Sequence, residues 1–358
     1  MIITVTMNPA VDKTIEINRL VHGGLNRISH VELDAGGKGI NVSRTVRELG
    51  GVTVATGFVG GSAGAVIERE LKALGIQTDF VHVGGETRTN TKVCEADGTL
   101  TELNEQGPEI APQELEELLA RLENYAGVGV LFVLSGSIPR GIDTDIYARI
   151  IRLVHGKGAQ VLLDADGELF SRALAAAPDL IKPNRMELEQ YAGMAGETPQ
   201  GGRPAAGDSV GGDCDRPDRE KTGRCTEAPD GASCSRRPGT ADLDPALTEA
   251  ARRLRRDGIS TVAVSLGPDG ALFFGTDGVG EAYELYCPGL PVQVRSTVGA
   301  GDAMVAALAL AWDRGLPPEE MIRTCMAVSA GAVTTSGTKP PARKLVEELK
   351  ARVEVQVI

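Results

Sequence analysis

The chain has 358 residues and a mass of 37.5 kDa, and its 42% hydrophobic and 24% charged composition is typical of a globular protein. Its formal net charge is −12 and only 3% of its residues are aromatic, so neither attraction to nucleic acid or anionic membranes nor base stacking is expected. An acidic chain can still bind an anion where backbone amides and a few Lys or Arg cluster. Composition therefore disfavours nucleic-acid and membrane partners and leaves small anionic ligands open.

The N-terminal segment MIITVTMNPAVDK lacks a basic region followed by a long apolar core, so it predicts a strand and no secretory signal. The longest strongly apolar run, 303–312, has about half of the roughly 20 residues that a membrane span needs. The six cysteines form no CxxC pair, which argues against a zinc ribbon or a disulfide framework. We expect a cytoplasmic protein.

Short β-branched runs alternate with amphipathic segments along the chain. The predicted strands are 2–7, 52–59, 128–135, 159–166, 178–182 and 260–267. The predicted helices are 38–49, 63–74, 112–125, 144–154 and 245–256. Such alternation indicates an α/β fold with a mostly parallel sheet and helices on both faces.

Two segments, 13–34 and 88–104, instead alternate polar and apolar residues with a period of two. The second contains Asp97-Gly98, a hairpin signal. We interpret both as a small half-exposed sheet that projects beside a ligand cleft and serves as a lid, a dimer surface or both. The whole chain, 1–358, is then expected to be a single domain.

Residues 198–240 differ from the rest of the chain. They contain eight Gly and five Pro, and Val210 is their only large aliphatic residue. Such a segment cannot bury enough apolar surface to offset the entropy of ordering it, which predicts a disordered insertion. Its three cysteines leave metal binding, redox sensing or partner docking as the alternative.

A glycine-rich turn, Gly299-Ala300-Gly301, precedes a predicted apolar helix, and Asp302 lies in the first turn of that helix. Small residues permit a tight turn whose free N–H groups can hold an anion. Asp302 has two interpretations: it stabilises the helix dipole, or it accepts a hydroxyl proton beside an anion hole.

A second glycine cluster, DAGGKGINVSR at 34–44, also leads into a helix, but it matches neither a Walker A loop nor G-x-G-x-x-G. Its Gly36, Gly37, Lys38 and Asn41 suit sugar hydroxyls or a phosphate. An ordinary strand-to-helix turn is the alternative.

Seven motifs in order resemble the ribokinase-like sugar kinases of the phosphofructokinase-B family, in particular the branch with 1-phosphofructokinase and tagatose-6-phosphate kinase. The motifs are TMNPAVD (6–12), AGGKGINVSR (35–44), TRTNTKV (87–93), LSGSIPRG (134–141), IKPNRMELE (181–189), VSLGPDGAL (264–272) and STVGAGDAMV (296–305). They cover essentially all of the chain outside 198–240. Ser296 departs from the Asp usual in the broader family and narrows the match to this branch.

The resemblance implies a ribokinase-like three-layer α/β/α sandwich with a small β-sheet lid and a homodimer formed through the lids. It also implies that ATP, with Mg²⁺, phosphorylates the 6-hydroxyl of fructose 1-phosphate to give fructose 1,6-bisphosphate. Tagatose-6-phosphate kinase and 6-phosphofructokinase activities are alternatives within the family. A non-catalytic sensor of sugar phosphates or nucleotides is the alternative from a different class.

The same resemblance implies roles for individual residues. Asp302 is the catalytic base, and the amides from Gly299 through Ala300 and Gly301 to Asp302 form the anion hole. The residues that bind the substrate are Asp12, Gly36, Gly37, Lys38, Asn41, Arg88, Asn90, Lys92 and Ser137. The residues that bind the nucleotide are Lys182, Asn184, Glu187, Ser265, Leu266, Gly267, Pro268, Asp269, Gly270 and Gly301. Asn184 and Glu187 also bind Mg²⁺ through water.

The residues alone leave other interpretations open for several of these positions. Asp12 suits an Asx turn, and the alternating Arg88, Asn90 and Lys92 suit a solvated strand face. Asn184 and Glu187 have the spacing of a capping box. Residues 265–270 suit a plain β-turn that needs its glycines for backbone reasons.

Overall fold

The computed structural model of the protein describes residues 1–196 and 243–358, so the predicted insertion 198–240 lies outside the described residues. The helices are α1 (Lys38–Glu48), α2 (Gly61–Ala73), α3 (Pro112–Tyr125), α4 (Ile146–His155), α5 (Gly167–Leu174), α6 (Arg185–Gly196), α7 (Pro245–Arg256), α8 (Ala300–Asp313), α9 (Pro318–Ala332) and α10 (Arg343–Lys350). The strands are β1 (Ile2–Thr6), β2 (Ala10–Ile17), β3 (His30–Gly36), β4 (Thr53–Val59), β5 (Gln77–His82), β6 (Arg88–Glu95), β7 (Leu100–Asn104), β8 (Leu131–Ser135), β9 (Gln160–Asp164), β10 (Leu180–Ile181), β11 (Thr261–Ser265), β12 (Ala271–Thr276), β13 (Ala282–Cys287) and β14 (Gln356–Val357).

Within the described ranges, ten strands form a large sheet in the order β14-β13-β12-β11-β10-β9-β8-β1-β4-β5. In this order, the adjacent strands β11-β10-β9-β8-β1-β4-β5 are all parallel to one another. Strands β12, β13 and β14 extend the sheet beyond β11, and each is antiparallel to the strand before it. The six predicted strands are β1, β4, β8, β9, β10 and β11. The predicted α/β class with a mostly parallel sheet is confirmed.

Helices cover both faces of this sheet, and β8 shows why its strand sequences are apolar throughout. Phe132 and Leu134 point into the core on one face, whereas Leu131 and Val133 point into the core on the other. Helix α8 is buried from Asp302 to Ala311, because it lies between the sheet and α9. A sheet buried on both faces needs continuous hydrophobic runs, as parallel sheets generally show.

Strands β2, β3, β6 and β7 form a separate small sheet in the order β3-β2-β6-β7, which we call the lid. Its strands come from the two segments predicted as a lid, 13–34 and 88–104, and β2 pairs with β6 in parallel. The predicted small second sheet is confirmed.

The carboxyl ends of the parallel strands lie at one edge of the large sheet, and the chain passes directly from the end of β1 at Thr6 into the lid at Ala10. Open α/β sheets bind ligands outside this edge. Among the helices of the described ranges, none is both long and apolar enough to cross a bilayer.

Candidate active site

The turn before α8 presents free backbone donors. Gly299 has a φ of 83° and precedes the first helical residue, Ala300. The first intrahelical hydrogen bond runs from the amide of Ala303 to the carbonyl of Gly299, at 2.9 Å. The preceding amides therefore have no partner within the helix, and a helix N-terminus of this kind attracts anions. We call the segment Gly299–Asp302 the anion turn.

Asp302 is the carboxylate of the anion turn, and only 8% of its surface is exposed. The Nδ2 of Asn41, from α1, donates to its Oδ2 at 2.8 Å. Burial, together with the nearby charge of Asp164, raises the pKa of Asp302 to about 6. A carboxylate with a pKa in this range accepts a proton more readily than an exposed one does. Asn41 Oδ1 is buried without a hydrogen-bond partner in the described part of the chain.

Two lysines meet a single buried carboxylate at the end of β9. Lys38 Nζ lies 3.4 Å from Asp164 Oδ2, and Lys182 Nζ lies 3.3 Å from Asp164 Oδ1. Burial alone would raise the pKa of Asp164, but the two lysines together hold it below its ordinary value. Lys182 also lies against the anion turn, because its Nζ is 3.6 Å from the position that a Cβ on Gly301 would take.

The lid contributes a second polar cluster around Asp12 of β2. Asn90 Nδ2 donates to Asp12 Oδ1 at 3.1 Å, and Lys92 Nζ donates to Asp12 Oδ2 at 3.2 Å. The parallel register places Asp12 beside Asn90, which explains why residues two apart on β6 reach one carboxylate. Gly36 leaves the necessary space, since a Cβ there would lie 2.7 Å from Asp12 Cγ.

Arg88 extends this cluster at the start of β6. Its guanidinium donates to the carbonyl of Asn8 at 3.2 Å from two nitrogens, and to Asn90 Oδ1 at 3.1 Å. Burial lowers the pKa of Arg88 below its usual value, yet a guanidinium stays protonated at neutral pH. The lid face predicted from the alternation is thus a hydrogen-bonded network in which Arg88 is held by backbone and amide oxygens.

Asn184 and Glu187 form the capping box that their spacing predicts. The amide of Glu187 donates to Asn184 Oδ1 at 2.9 Å, and the amide of Asn184 donates to Glu187 Oε2 at 2.8 Å. Burial raises the pKa of Glu187 above its ordinary value. Capping uses the single side-chain oxygen of Asn184, which has two lone pairs, and one of the two carboxylate oxygens of Glu187. Both side chains therefore keep an acceptor position beyond those that the cap uses.

Residues 265–270 end β11 and turn back through a short 3-10 turn, Gly267–Asp269. Gly270 has a φ of 109°, and a Cβ there would lie 1.9 Å from the carbonyl oxygen of Cys287, so packing against β13 already requires this glycine. Asp269 forms an ion pair with Arg185 at 2.9 Å, and the backbone of Ser265 forms a parallel β-bridge with that of Asn184. These contacts connect the predicted nucleotide loop to the start of α6.

The structure brings most of the predicted site residues into these clusters and reveals one that the motifs did not single out. Asp164 is the last residue of β9. Its position at the carboxyl end of a predicted parallel strand, where open α/β sheets bind ligands, is the sequence feature that could have identified it. Ser137 is exposed next to Gly136, and a Cβ on Gly136 would lie 3.6 Å from Lys38 Cβ. Gly37 has a φ of 115°, which a non-glycine residue rarely adopts.

Comparison with known proteins gives a consistent result. The model of the family described as pfkB family carbohydrate kinase matches residues 5–210 and 233–345. A 1-phosphofructokinase of Rhodobacter capsulatus is 32% identical over 359 residues, covering 100% of this chain and 98% of the relative.

Two solved structures have the same fold. Escherichia coli phosphofructokinase-2 in complex with substrates and products is 25% identical with a TM-score of 0.77, and the match covers 98% of each chain. Arabidopsis thaliana ribokinase with ribose and ATP is 22% identical with a TM-score of 0.67 and 98% coverage of each chain, a likeness of fold alone.

Proposed function

The chain belongs to the pfkB family of carbohydrate kinases, and on that premise we propose that it phosphorylates the 6-hydroxyl of fructose 1-phosphate with ATP. The product is fructose 1,6-bisphosphate. The family model matches 5–210 and 233–345, on both sides of the gap 211–232, which supports a single kinase domain over 1–358. Because the reaction consumes ATP, we place it in the cytoplasm.

The observation that carries this proposal is the position of Asp302, a buried carboxylate in the first turn of the helix that provides the anion turn. A hydroxyl that donates to Asp302 would lie next to amides that can stabilise a transferring phosphoryl group. Phosphoryl transfer depends mainly on such positioning and on charge stabilisation, with one carboxylate to take the hydroxyl proton. The 32% sequence identity with a 1-phosphofructokinase, over the full length of this chain, supports the choice of acceptor.

Lys38 and Lys182 belong to the end of the site where phosphoryl transfer would take place, because Lys182 lies against Gly301 of the anion turn and both lysines pair with Asp164. They would neutralise the oxygens of the phosphoryl group as it moves from ATP to the 6-hydroxyl. The 1-phosphate lies at the opposite end of the sugar from this hydroxyl. Lys38 is therefore less suited to the 1-phosphate than Arg88 is, and we assign that group to Arg88.

Asp12, Asn90 and Lys92 then form the sugar-binding surface between these ends. The Asp12 carboxylate can accept from sugar hydroxyls while its amide and ammonium neighbours keep it oriented. Ionised acceptors form hydrogen bonds stronger than neutral ones, so loss of this carboxylate would weaken acceptor binding.

The oxygen donors at the start of α6 fit Mg²⁺, which prefers hard oxygen ligands and retains much of its water. Asn184 and Glu187 supply an amide oxygen and a carboxylate whose positions the capping bonds fix. These residues would hold the ion through water. They lie near the predicted nucleotide loop, 265–270, because a β-bridge connects Ser265 of that loop to Asn184. When bound, Mg²⁺ neutralises phosphate charge.

A panel of sugars assayed with ATP and Mg²⁺ tests the function. We expect ADP release with fructose 1-phosphate at the highest kcat/KM, against tagatose 6-phosphate, fructose 6-phosphate and unphosphorylated fructose. A clear preference for tagatose 6-phosphate or fructose 6-phosphate would move the assignment within the family. Tight binding of sugar phosphate without ADP release would indicate the sensor alternative.

The kcat of the wild-type enzyme is expected to fall on the acid side with an apparent pKa near 6. Burial raises the pKa of Asp302 to about 6, so the base becomes protonated and inactive as the pH falls below that value. Above it the base is ionised and kcat reaches a plateau. The measurement is kcat against pH at saturating concentrations of both substrates.

The sugar phosphate also titrates near this pH, since the second pKa of a phosphate monoester is about 6. The residual activity of Asp302→Asn separates the two sources because substrate ionisation is unchanged in that variant. The acid limb should be absent from its profile. An identical limb in both proteins would assign the titration to the substrate.

We also propose that two copies of the chain associate through the outer face of the lid. Strand register places Leu33, Lys13, Thr91 and Leu103 in one row across all four lid strands, on the face opposite Asp12 and Asn90. Val31 is 45% exposed, Leu33 51% and Leu103 60%. These three exposed apolar side chains, on a face that also carries Lys13 and Thr91, are a liability for a monomer and suit burial in a homodimer.

Leu33→Asp is therefore expected to shift the protein from dimer to monomer at micromolar concentration, because it places a negative charge among these exposed apolar side chains. Sedimentation velocity measures the change. Val128→Asp is the matched control, since Val128 is 91% exposed in a loop away from the lid. A wild-type protein that is monomeric and fully active at this concentration would contradict the proposal.

A further inference from the structure

Given the proposed function, we infer that Asp164 is a positioning residue whose carboxylate holds Lys38 and Lys182 together at the anion turn. The sequence motifs assign no role to this residue. The carboxylate acts through the two ammonium groups and does not itself contact either substrate in this scheme.

The geometry gives each oxygen of Asp164 one partner. Oδ2 lies 3.4 Å from Lys38 Nζ and Oδ1 lies 3.3 Å from Lys182 Nζ, with only 2% of the Asp164 side chain exposed. Lys182 is similarly buried, with 6% of its side chain exposed. A buried charged group is costly unless it is paired, so the Asp164 carboxylate and the Lys182 ammonium compensate each other's burial.

The two lysines reach Asp164 from different parts of the fold. Lys38 is the first residue of α1, and only Gly37 separates it from the lid strand β3, so it lies on the acceptor side. Lys182 follows β10 and precedes the capping box of α6, so it lies on the nucleotide side. A single carboxylate thus fixes the distance between a cation from each substrate region.

The charges of the cluster suit phosphoryl transfer. Asp164 with two lysines carries a net charge of +1, and ionised Asp302 brings the group of four to zero. An ammonium has three N–H donors, so each lysine that donates one to Asp164 has others for phosphate oxygens. Proton transfer to Asp302 restores the net charge of +1 as charge shifts onto the transferring phosphoryl group.

Asp164→Asn is the test, with kcat measured against pH for the wild type and the variant. We expect kcat to fall about ten- to a hundred-fold, because small displacements of positioned groups have effects of this size. The acid limb of kcat should also move to lower pH. Removing the charge of Asp164 takes away a cause of the raised pKa of Asp302 and leaves the opposing charges of Lys38 and Lys182 in place.

Asp179→Asn is the matched control. Asp179 precedes β10 at the opposite edge of the sheet, where its carboxylate accepts from the amide of Val161 at 2.8 Å and lies 2.9 Å from His155. Its loss should lower the melting temperature without moving the pH limb. A merely structural role for Asp164 predicts the same outcome for both variants, and that result would overturn the inference.

Asp164→Glu covers the case in which the asparagine variant does not fold. It keeps the counter-charge but displaces the carboxylate by one methylene, so kcat should fall while the acid limb stays near its wild-type position. A glutamate variant with wild-type kcat would contradict the positioning role. Failure of the proposed function is a separate result, since the wild type would then release no ADP with any sugar phosphate.

Discussion

Replacement of Asp302 with asparagine is expected to lower kcat by about 10²–10⁴-fold, the usual contribution of general acid–base catalysis. Asparagine keeps the size of the side chain but cannot take the proton of the sugar hydroxyl. The anion turn and the lysines remain, so the affinity for ATP should change little. Steady-state kinetics and calorimetric titration with ATP measure the two quantities.

Asp313→Asn is the matched control for this experiment. Asp313 is the last residue of the same helix, α8, and pairs with the N-terminal ammonium group of Met1 at 2.6 Å. It lies at the opposite end from the anion turn, so its substitution should leave kcat unchanged. A value of kcat for Asp302→Asn within a few-fold of the wild type would show that Asp302 is not the base.

Discrimination between phosphorylated and free sugar is the second large effect. The free sugar cannot form the charge-assisted hydrogen bonds that the 1-phosphate accepts, and each such bond contributes about 1.5–3 kcal/mol. Each 1.4 kcal/mol is a factor of ten, so we expect kcat/KM for unphosphorylated fructose to be about ten- to a hundred-fold lower for every bond of this kind. Coupled measurement of ADP release with both sugars gives the ratio.

Arg88→Met tests which residue binds the 1-phosphate. This substitution should lower kcat/KM for fructose 1-phosphate and leave the much smaller value for fructose nearly unchanged, so the ratio between the sugars falls. Arg47→Met serves as the control, because Arg47 lies at the end of α1 and donates to the carbonyl of Leu74. An unchanged ratio in Arg88→Met would refute the assignment of the 1-phosphate to this residue.

Local sequence patterns were sufficient to predict the main elements of the fold. Continuous apolar runs predict β1, β4 and β8 within a few residues, and the predicted bounds of α3 and α7 agree with those in the structure. The period of two in 13–34 and 88–104 predicts the lid, because alternating strands expose one face. The antiparallel strands β12 and β13 were not among the predicted strands. Whether such short segments form strands depends on the neighbouring strands with which they pair, and the local pattern does not show those neighbours.

Motif spacing likewise predicts the glycine turns and Asp302, because a tight turn at a helix start needs small residues whatever surrounds it. For Asn184 and Glu187, the capping box confirms one local interpretation and leaves the metal-binding role as a proposal. The same local logic predicted that Arg88, Asn90 and Lys92 share a face of one strand.

Only the tertiary structure could decide which of these residues meet. Asn41 reaches Asp302 across 261 positions of sequence, and Lys92 reaches Asp12 across 80. Asp164 is an ordinary strand-ending residue in the sequence, and it becomes a bridge between two lysines because β9 lies between β8 and β10 in the sheet. Hydrogen bonds and charge pairs act over a few ångströms in space, so their partners depend on strand order and packing, which short sequence motifs do not encode.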